Sequence, residues 1–182
     1  MKKRFVAALL ALALIPCAAR AGSIGVGVGA FGGVNIPVLM DNATTGPVFG
    51  IRVPVRLIPM LTVEPFWATS ALGDATQDFG ALGSETRDGG TYSTFGVNAA
   101  LTAGGLGFKM FPYAGIGSGK YEQTGVNTLT DTAVDFGLGF NFGLLPNIAL
   151  DLRGEFDALL TGDTTRKFAS VNAGLTYRLP LP

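Results

Sequence analysis

The segment Ile148-Ala149-Leu150-Asp151-Leu152-Arg153-Gly154-Glu155-Phe156-Asp157-Ala158-Leu159-Leu160 alternates between two kinds of side chain. The even-numbered positions are apolar or small, whereas positions 151, 153, 155 and 157 are charged. Successive side chains leave a β-strand on opposite faces, so a period of two indicates a strand with one apolar and one charged face. The segment alone fits a soluble sheet or a sheet in lipid, and the rest of the chain decides between them.

The chain begins with the pattern of an export signal. Residues 2–4 are Lys-Lys-Arg, residues 5–15 form an apolar run, and residues 19–21 are Ala-Arg-Ala, a small-x-small cleavage site. We therefore predict a signal peptide over residues 1–21 and a mature domain over residues 22–182. The apolar run is too short to span a bilayer as a helix, and no later apolar stretch is long enough.

Composition excludes several classes of function for the mature chain. Cys17 is the only cysteine of the 182 residues, and cleavage after Ala21 removes it, so we expect no disulfide and no thiol chemistry. A lipoprotein site at Cys17 is the alternative, although Pro16 departs from the small residue that such a site uses. Cleavage would leave 13 − 4 = 9 basic residues against 13 acidic ones, a balance that argues against nucleic acid as a partner.

Segments with the same alternation recur along the whole chain. They span residues 23–31, 47–58, 61–72, 91–101, 106–117, 133–144, 148–160 and 168–179. Short turns at 59–60, 104–105 and 146–147 alternate with polar loops, the longest of which are 73–90 and 118–130. This pattern predicts an all-β fold, an eight-stranded up-and-down antiparallel transmembrane β-barrel with short turns in the periplasm and loops facing outward.

The non-apolar face of these strands predicts the content of the barrel. It carries five basic and five acidic residues: Arg52, Arg56, Lys109, Arg153, Arg178, Glu64, Asp135, Asp151, Glu155 and Asp157. An eight-stranded barrel is only just wide enough for its own side chains, so we expect these charges to pair and to fill the interior. We expect inward glycines, Gly137, Gly139 and Gly143 among them, to make room for large neighbours such as Phe111 and Tyr113. A proton or ion path is the alternative use of such a network.

Catalytic and metal sites receive little support. The chain has no histidine, the most common base for acyl transfer, and we expect no enzymatic activity and no cofactor. Carboxylates of the longest loop, Asp74 with Asp78 or Glu85 with Asp88, offer the oxygen ligands that hard cations prefer. Solvated loop charges are the more common use of such residues, so we predict no metal site, and divalent binding there stays open.

The last predicted strand resembles a known signal. In Asn172-Ala173-Gly174-Leu175-Thr176-Tyr177-Arg178-Leu179, the residues Asn172, Gly174, Tyr177 and Leu179 are similar to the C-terminal assembly signal of bacterial outer-membrane barrels. With Phe111-Pro112-Tyr113-Ala114-Gly115 and the segment 145–152, the mature chain resembles the OmpA-like or opacity-like eight-stranded family. That resemblance implies the outer membrane as location, its lipid and lipopolysaccharide as surroundings, and the barrel assembly machinery as a partner. We expect no peptidoglycan-binding domain after the last strand, so anchoring to the cell wall is not implied.

These observations predict a non-enzymatic outer-membrane barrel, a structural scaffold whose surface loops serve interaction or adhesion. The alternative is a narrow channel or small-molecule transporter, which planar-bilayer conductance would distinguish. A secreted lipocalin-like binder is a third hypothesis, and it would need an apolar cavity. The sequence favours a monomer but identifies neither a surface ligand nor a host partner.

Overall fold

The computed structural model describes residues 25–38, 43–78, 80, 83–105, 107–125, 127–162 and 165–179. The predicted signal peptide and its cleavage site lie outside these residues. The described strands are β1 (Gly25–Val38), β2 (Gly46–Arg52), β3 (Val55–Ile58), β4 (Leu61–Ala71), β5 (Ala75–Asp78), β6 (Ser84–Arg87), β7 (Thr91–Leu101), β8 (Ala103–Gly104), β9 (Phe108–Glu122), β10 (Leu129–Leu145), β11 (Ile148–Leu160) and β12 (Arg166–Arg178). Nowhere in the described ranges is there a helix with the length and apolar character needed to cross a membrane.

One antiparallel sheet closes on itself. Its strands follow the order β1, β2 with β3, β4, β7, β9, β10, β11 and β12, and β12 pairs with β1 from Gly27↔Arg178 to Val38↔Lys167. Closure provides a partner for the backbone groups of every barrel strand, which is required where no water is available. The predicted eight-stranded antiparallel barrel is confirmed. We call the end with connections 59–60, 102–107 and 146–147 the turn end, and the opposite end the loop end.

The distribution of side chains is the reverse of that in a soluble protein. Large apolar side chains such as Phe49, Phe95 and Val171 are exposed on the outer face, whereas Arg52, Glu64 and other polar side chains are buried. Soluble folds place apolar residues inside and almost never bury unpaired charges. An apolar outer band around a polar interior is the arrangement of a barrel in lipid.

The strand bounds agree with the sequence pattern in some places and differ in others. β7 and β11 begin and end where predicted, but β1 continues to Val38 and β9 continues to Glu122. The connection predicted over 118–130 therefore spans only 123–128. The pairing of Tyr121 with Tyr92 and Leu129 extends the sheet through this segment, although its Gly and Ser residues hide the alternation.

The predicted loop 73–90 contains regular structure. Strands β5 and β6 pair from Ala75↔Arg87 to Asp78↔Ser84 and form a separate two-stranded sheet beyond the barrel rim. All four side chains of β6 are exposed. The polar composition of this segment predicted its exposure but not its hairpin.

The second predicted strand is divided into β2 and β3 at Val53 and Pro54. Proline has no N–H to donate to the ladder, which explains the interruption. The wall stays closed there because the Gly27 N–H donates to the Pro54 carbonyl oxygen at 2.9 Å and the Val53 N–H donates to the Pro65 carbonyl oxygen at 2.9 Å.

We expect Leu152→Arg, on the outer face of β11, to impair insertion. Leu152 is exposed at mid-strand, and a cation near the bilayer midplane costs about 2 to 4 kcal/mol in such barrels. Leu160→Arg is the matched control, because Leu160 is exposed on the same face at the loop end of the same strand and a charge near the interface costs only about 0 to 1 kcal/mol. Heat-modifiable gel mobility after folding into vesicles measures both, and equal yields would contradict the assigned depth.

Candidate functional site

An ion pair crosses the centre of the barrel. Arg153 on β11 donates to both carboxylate oxygens of Glu64 on β4, with Nη1···Oε1 of 2.6 Å and Nη2···Oε2 of 2.8 Å. The two strands lie on opposite walls of the barrel, and both side chains are about nineteen-twentieths buried, with 6% and 5% exposure. A bidentate pair of this kind fixes distance and orientation as well as charge, so it ties the two walls together.

Aromatic rings complete this central layer. The Arg153 guanidinium lies 4.9 Å from the ring centroid of Phe111 and 5.1 Å from that of Tyr113. The Tyr113 hydroxyl donates to Glu155 at 2.6 Å. A Cβ on Gly139 would overlap the Phe111 ring, and one on Gly137 would overlap Tyr113. These two glycines make room for the rings as expected.

The glycine prediction is wrong for Gly143. This residue is exposed, and a Cβ on it would meet only Gly107, at 3.8 Å. Gly143 lies near the turn end, and no aromatic ring lies within 4 Å of the position that its Cβ would occupy.

Neutral side chains bind several of the other predicted interior charges. Asp151 accepts hydrogen bonds from Asn141, at 2.6 Å, and from Thr176. Arg178 donates to the Asn141 oxygen at 2.7 Å. These contacts form a chain across β10, β11 and β12 near the turn end. Two charged residues are therefore held together through an amide instead of pairing directly.

The remaining buried charges have incomplete partners. Arg52 lies over the Phe31 ring at 4.8 Å, but its Nε and Nη2 atoms have no hydrogen-bond partner within the described residues. One oxygen of Asp135 and one of Asp157 likewise have none. The expectation that all ten charges pair was too strong, since Arg153–Glu64 is the one direct ion pair among the predicted interior charges that the structure describes.

An aromatic cluster closes the loop end, and we call it the lid. It consists of Ala43, Leu72, Tyr92, Tyr121, Leu159 and Phe168. The Tyr92 and Phe168 rings stack with centroids 4.2 Å apart. The guanidinium carbon of Arg166 lies 4.2 Å from the centroid of the Tyr121 ring. The lid was not predicted, because Tyr121 falls in the predicted loop 118–130. The alternate spacing of Gly117, Gly119 and Tyr121 is the signal that could have revealed it.

A contact between two loops lies above the lid, centred on Asp88. Its carboxylate accepts from the Thr124 hydroxyl and from the Gly90 N–H at 3.0 Å, and its carbonyl oxygen accepts from Gln123. The hydrogen bond from Thr124, followed by that from Gly90, lowers the pKa of the Asp88 carboxyl. The Tyr121 hydroxyl also donates to the Gly89 carbonyl oxygen at 2.8 Å. The hairpin loop is thus attached to the connection between β9 and β10.

The loop carboxylates considered as cation ligands have other partners. Asp74 accepts from the Gly89 N–H at 3.2 Å, and Glu85 pairs with Arg87 at 3.2 Å. The side chain of Asp78 lies outside the described residues. Within the part of the chain that the structure describes, no group of three or more acidic, Cys or His residues could hold a metal ion.

The interior opens into a cavity at the turn end. A cavity of about 170 Å³ there is lined by both members of the central ion pair and by Arg56, Lys109 and Arg178, among others. Towards the lid, a second void beside Tyr92 and Asp157 measures about 10 Å³, which is room for about one water molecule.

The residues of the predicted assembly signal lie on β12 or directly after it, and they face both sides of the barrel wall. Asn172 and Gly174 are buried inside the barrel, whereas Tyr177 and Leu179 are exposed on the outside. A Cβ on Gly174 would overlap Arg52 and Phe31, so this glycine is required for interior packing as well.

The closed wall, the apolar outer band and the charged interior define a β-barrel protein of the bacterial outer membrane. The chain belongs to the outer membrane protein β-barrel domain family, whose model matches residues 5–178. The predicted family and the predicted location in the outer membrane are thereby confirmed, whereas the assembly signal of the last strand stays a prediction. Among proteins with curated descriptions, none matches this chain in sequence.

Solved structures with the same fold include three outer-membrane proteins of low sequence identity. The neisserial surface protein A superposes with a TM-score of 0.64 at 15% identity, covering 85% of this chain and 96% of that one. The attachment invasion locus protein Ail of Yersinia pestis, crystallised with the heparin analogue sucrose octasulfate, gives a TM-score of 0.55 at 16% identity, covering 86% and 100%. The N-terminal barrel of Pseudomonas aeruginosa OprF gives 0.55 at 13%, covering 85% and 97%. At these identities the likeness shows the fold alone.

We expect Arg153→Met to destabilise the barrel by about 3 to 5 kcal/mol, because the Glu64 carboxylate is left buried without its partner. The double variant Glu64→Gln with Arg153→Met should recover much of that loss. Urea unfolding in lipid vesicles measures both.

The control is Arg87→Met, which removes an exposed Arg–Glu pair and should cost about 0 to 1 kcal/mol. If Arg153→Met and Arg87→Met had the same effect on the free energy of unfolding, the central pair would not hold the walls together.

We expect Asp88→Ala to loosen the contact between the two loops and to speed hydrogen exchange at the Gly90 and Thr124 amides, both of which donate to that carboxylate. Because the folded-state pKa of Asp88 is lowered, its contribution is complete above the ordinary pKa of about 4 and is lost as the pH falls through the lowered value. Asp131→Ala is the control, since Asp131 binds only its neighbour Thr132 among the described contacts. Unchanged exchange in Asp88→Ala would show that the loops are held by other contacts.

Proposed function

We propose that this protein is a non-enzymatic scaffold of the outer membrane that presents its loop end for surface interaction or adhesion. The observation that supports this most is the β5–β6 hairpin. It extends beyond the barrel rim with all four β6 side chains exposed, and Asp88 braces its base against the next loop. Because the hairpin is exposed but already ordered, little conformational entropy is lost when a partner binds to it.

The filled interior favours a scaffold over the alternative of a narrow channel. The central ion pair, the rings of Phe111 and Tyr113, and the lid occupy successive levels of the barrel. A path for solutes would require the Arg153–Glu64 pair to break and the lid to open. Both changes would expose buried charge or apolar surface at considerable cost.

The charge of the hairpin loop bears on the class of partner. Residues 73–90 contain four acidic residues and one basic residue, a net charge of −3. Ail was crystallised with a highly sulfated heparin analogue, but an acidic loop repels such a polyanion. We therefore propose a protein surface, not a sulfated polysaccharide, as the partner of this loop.

Biogenesis follows the predicted domain bounds in this proposal. The signal peptide, residues 1–21, is removed on export, and the barrel assembly machinery then recognises the last strand. Tyr177 on β12 and Leu179 just after it are exposed on the outside of the barrel, where another protein can reach them before the barrel closes.

Adhesion of bacteria that display the protein tests this proposal. In a non-adherent host strain, the full-length chain should increase attachment to surfaces coated with matrix proteins or to cultured cells. Replacement of residues 75–87 by a short Gly-Ser linker should abolish the gain, since polar exposed loops tolerate such changes without loss of the barrel.

A matched variant with the charges of Glu85 and Arg87 exchanged keeps the length and the composition of the hairpin. Heat-modifiable mobility and surface labelling confirm that each variant is folded and exported. Attachment that survives removal of the hairpin would contradict the proposed role of this element.

A further inference from the structure

The cavity at the turn end is lined by cations that have no acidic partner. We define the turn-end vestibule by Arg56 on β3, Lys109 on β9 and Arg178 on β12, all partly buried. None of the three belongs to an ion pair among the residues that the structure describes. Burying like charges together without compensation is unfavourable, so an arrangement of this kind favours a bound anion.

The barrel topology makes the three cations converge. β3 and β12 flank β1 on its two sides, and β9 lies on the opposite wall. Arg56, Lys109 and Arg178 line the same cavity. Gly25 and Gly27 on the intervening strand also line the cavity, so no large side chain separates the two arginines.

The charge balance of the vestibule wall is positive. Four basic residues line it, counting Arg153 at its floor, against the two acidic residues Glu64 and Asp151, which gives 4 − 2 = +2. Glu64 is fully engaged by Arg153, and Asp151 by Asn141 and Thr176. The carboxylates are therefore committed to other groups, and the three vestibule cations are not neutralised.

Arg153 has a different role from the other three cations. It lines the cavity and is more than nine-tenths buried, and its Nη1 and Nη2 both donate to Glu64. The charge that is left for a ligand is therefore that of Arg56, Lys109 and Arg178.

We propose that the turn-end vestibule binds a phosphate group. Tetrahedral oxyanions accept several charge-assisted hydrogen bonds at once, and guanidinium groups match their geometry. The central ion pair closes the inner end of the vestibule, so the anion enters and leaves by the turn end. Short turns of outer-membrane barrels lie in the periplasm, and the phosphate therefore comes from that side, either free in solution or as a lipid headgroup.

Titration of the full barrel with inorganic phosphate in an uncharged sugar detergent tests this proposal. Calorimetry should show saturable binding that weakens with added sodium chloride. Lys109→Met should weaken it about tenfold or more, as expected for loss of one charge-assisted hydrogen bond. Lys120→Met is the matched control, because Lys120 lies on the same strand but pairs with Glu122 near the loop end. The affinity of this variant for phosphate should differ from that of the unmodified protein by less than about twofold.

Thermal unfolding gives an independent measurement, because a phosphate-binding lysine and a structural lysine predict opposite changes in the unfolding temperature of Lys109→Met in phosphate-free buffer. In phosphate-free buffer Lys109→Met should raise the unfolding temperature, because it removes repulsion from Arg56 and Arg178. In saturating phosphate the unmodified protein should gain stability and the variant should gain little. A lysine with a merely structural role would instead lower the unfolding temperature of the variant in both buffers, which would overturn the proposal.

Nanodiscs of phosphatidylglycerol distinguish the two sources of phosphate. If a lipid headgroup fills the vestibule, added inorganic phosphate stabilises the protein in sugar-detergent micelles but not in these nanodiscs. If free phosphate is the ligand, it stabilises the protein in both. Either result supports a phosphate site, whereas no saturable binding in micelles, or equal binding by Lys109→Met, would refute it. The outcome is independent of adhesion, since the hairpin lies at the other end of the barrel.

Discussion

The structure depends on one constraint, that backbone groups in lipid must find their hydrogen-bond partners within the protein. The seam between β1 and β12 meets it by pairing a strand near each end of the chain, from Gly27↔Arg178 to Val38↔Lys167. With eight strands, closure fixes a narrow interior. This narrow width limits which side chains can fill the interior, because inward side chains from opposite walls occupy the same space at each height along the barrel axis.

Large side chains inside the barrel pack against glycines on neighbouring strands. The Phe111 and Tyr113 rings occupy the space left by Gly139 and Gly137, and Phe31 and Arg52 occupy that left by Gly50 and Gly174. At the centre, the walls are joined by the hydrogen-bonded ion pair of Arg153 and Glu64, which lies among other polar side chains. The result has three levels: an aromatic lid, a filled centre and an open, basic mouth at the turn end.

Much of this fold was predictable, because a period of two is a local signal that tertiary structure preserves. β7 and β11 match their predicted bounds. The alternation of the sequence alone predicts that ten charged residues lie on the inward face of the strands. Predictions failed where the local signal is weak. Gly32, Gly33 and Asn35 hide the continuation of β1, and the Gly-Ser-Gly sequence at 117–119 hides that of β9.

The interior contacts were harder to predict for a different reason. Register tells which side chains face inward, but it does not tell which opposite walls meet, since that depends on strand order and shear around the whole barrel. Arg153 could have paired with Asp135 or Asp157 by proximity in sequence, yet it reaches Glu64 across the lumen. The vestibule was missed likewise, because Arg56, Lys109 and Arg178 are far apart in sequence and converge only on closure.

The position of the seam also determines how the chain can fold. Gly27 and Arg178 are among the first and last described residues, so the contact that completes the sheet spans nearly the whole described chain. Contacts of such long range form slowly, because the entropy of closing the loop is lost before the pairing compensates it. Until the last strand arrives, the first has an unpaired edge and an exposed apolar face, the combination most prone to aggregation. The chain is therefore most prone to aggregation just before the seam forms, and the edge of β1 needs protection until β12 pairs with it.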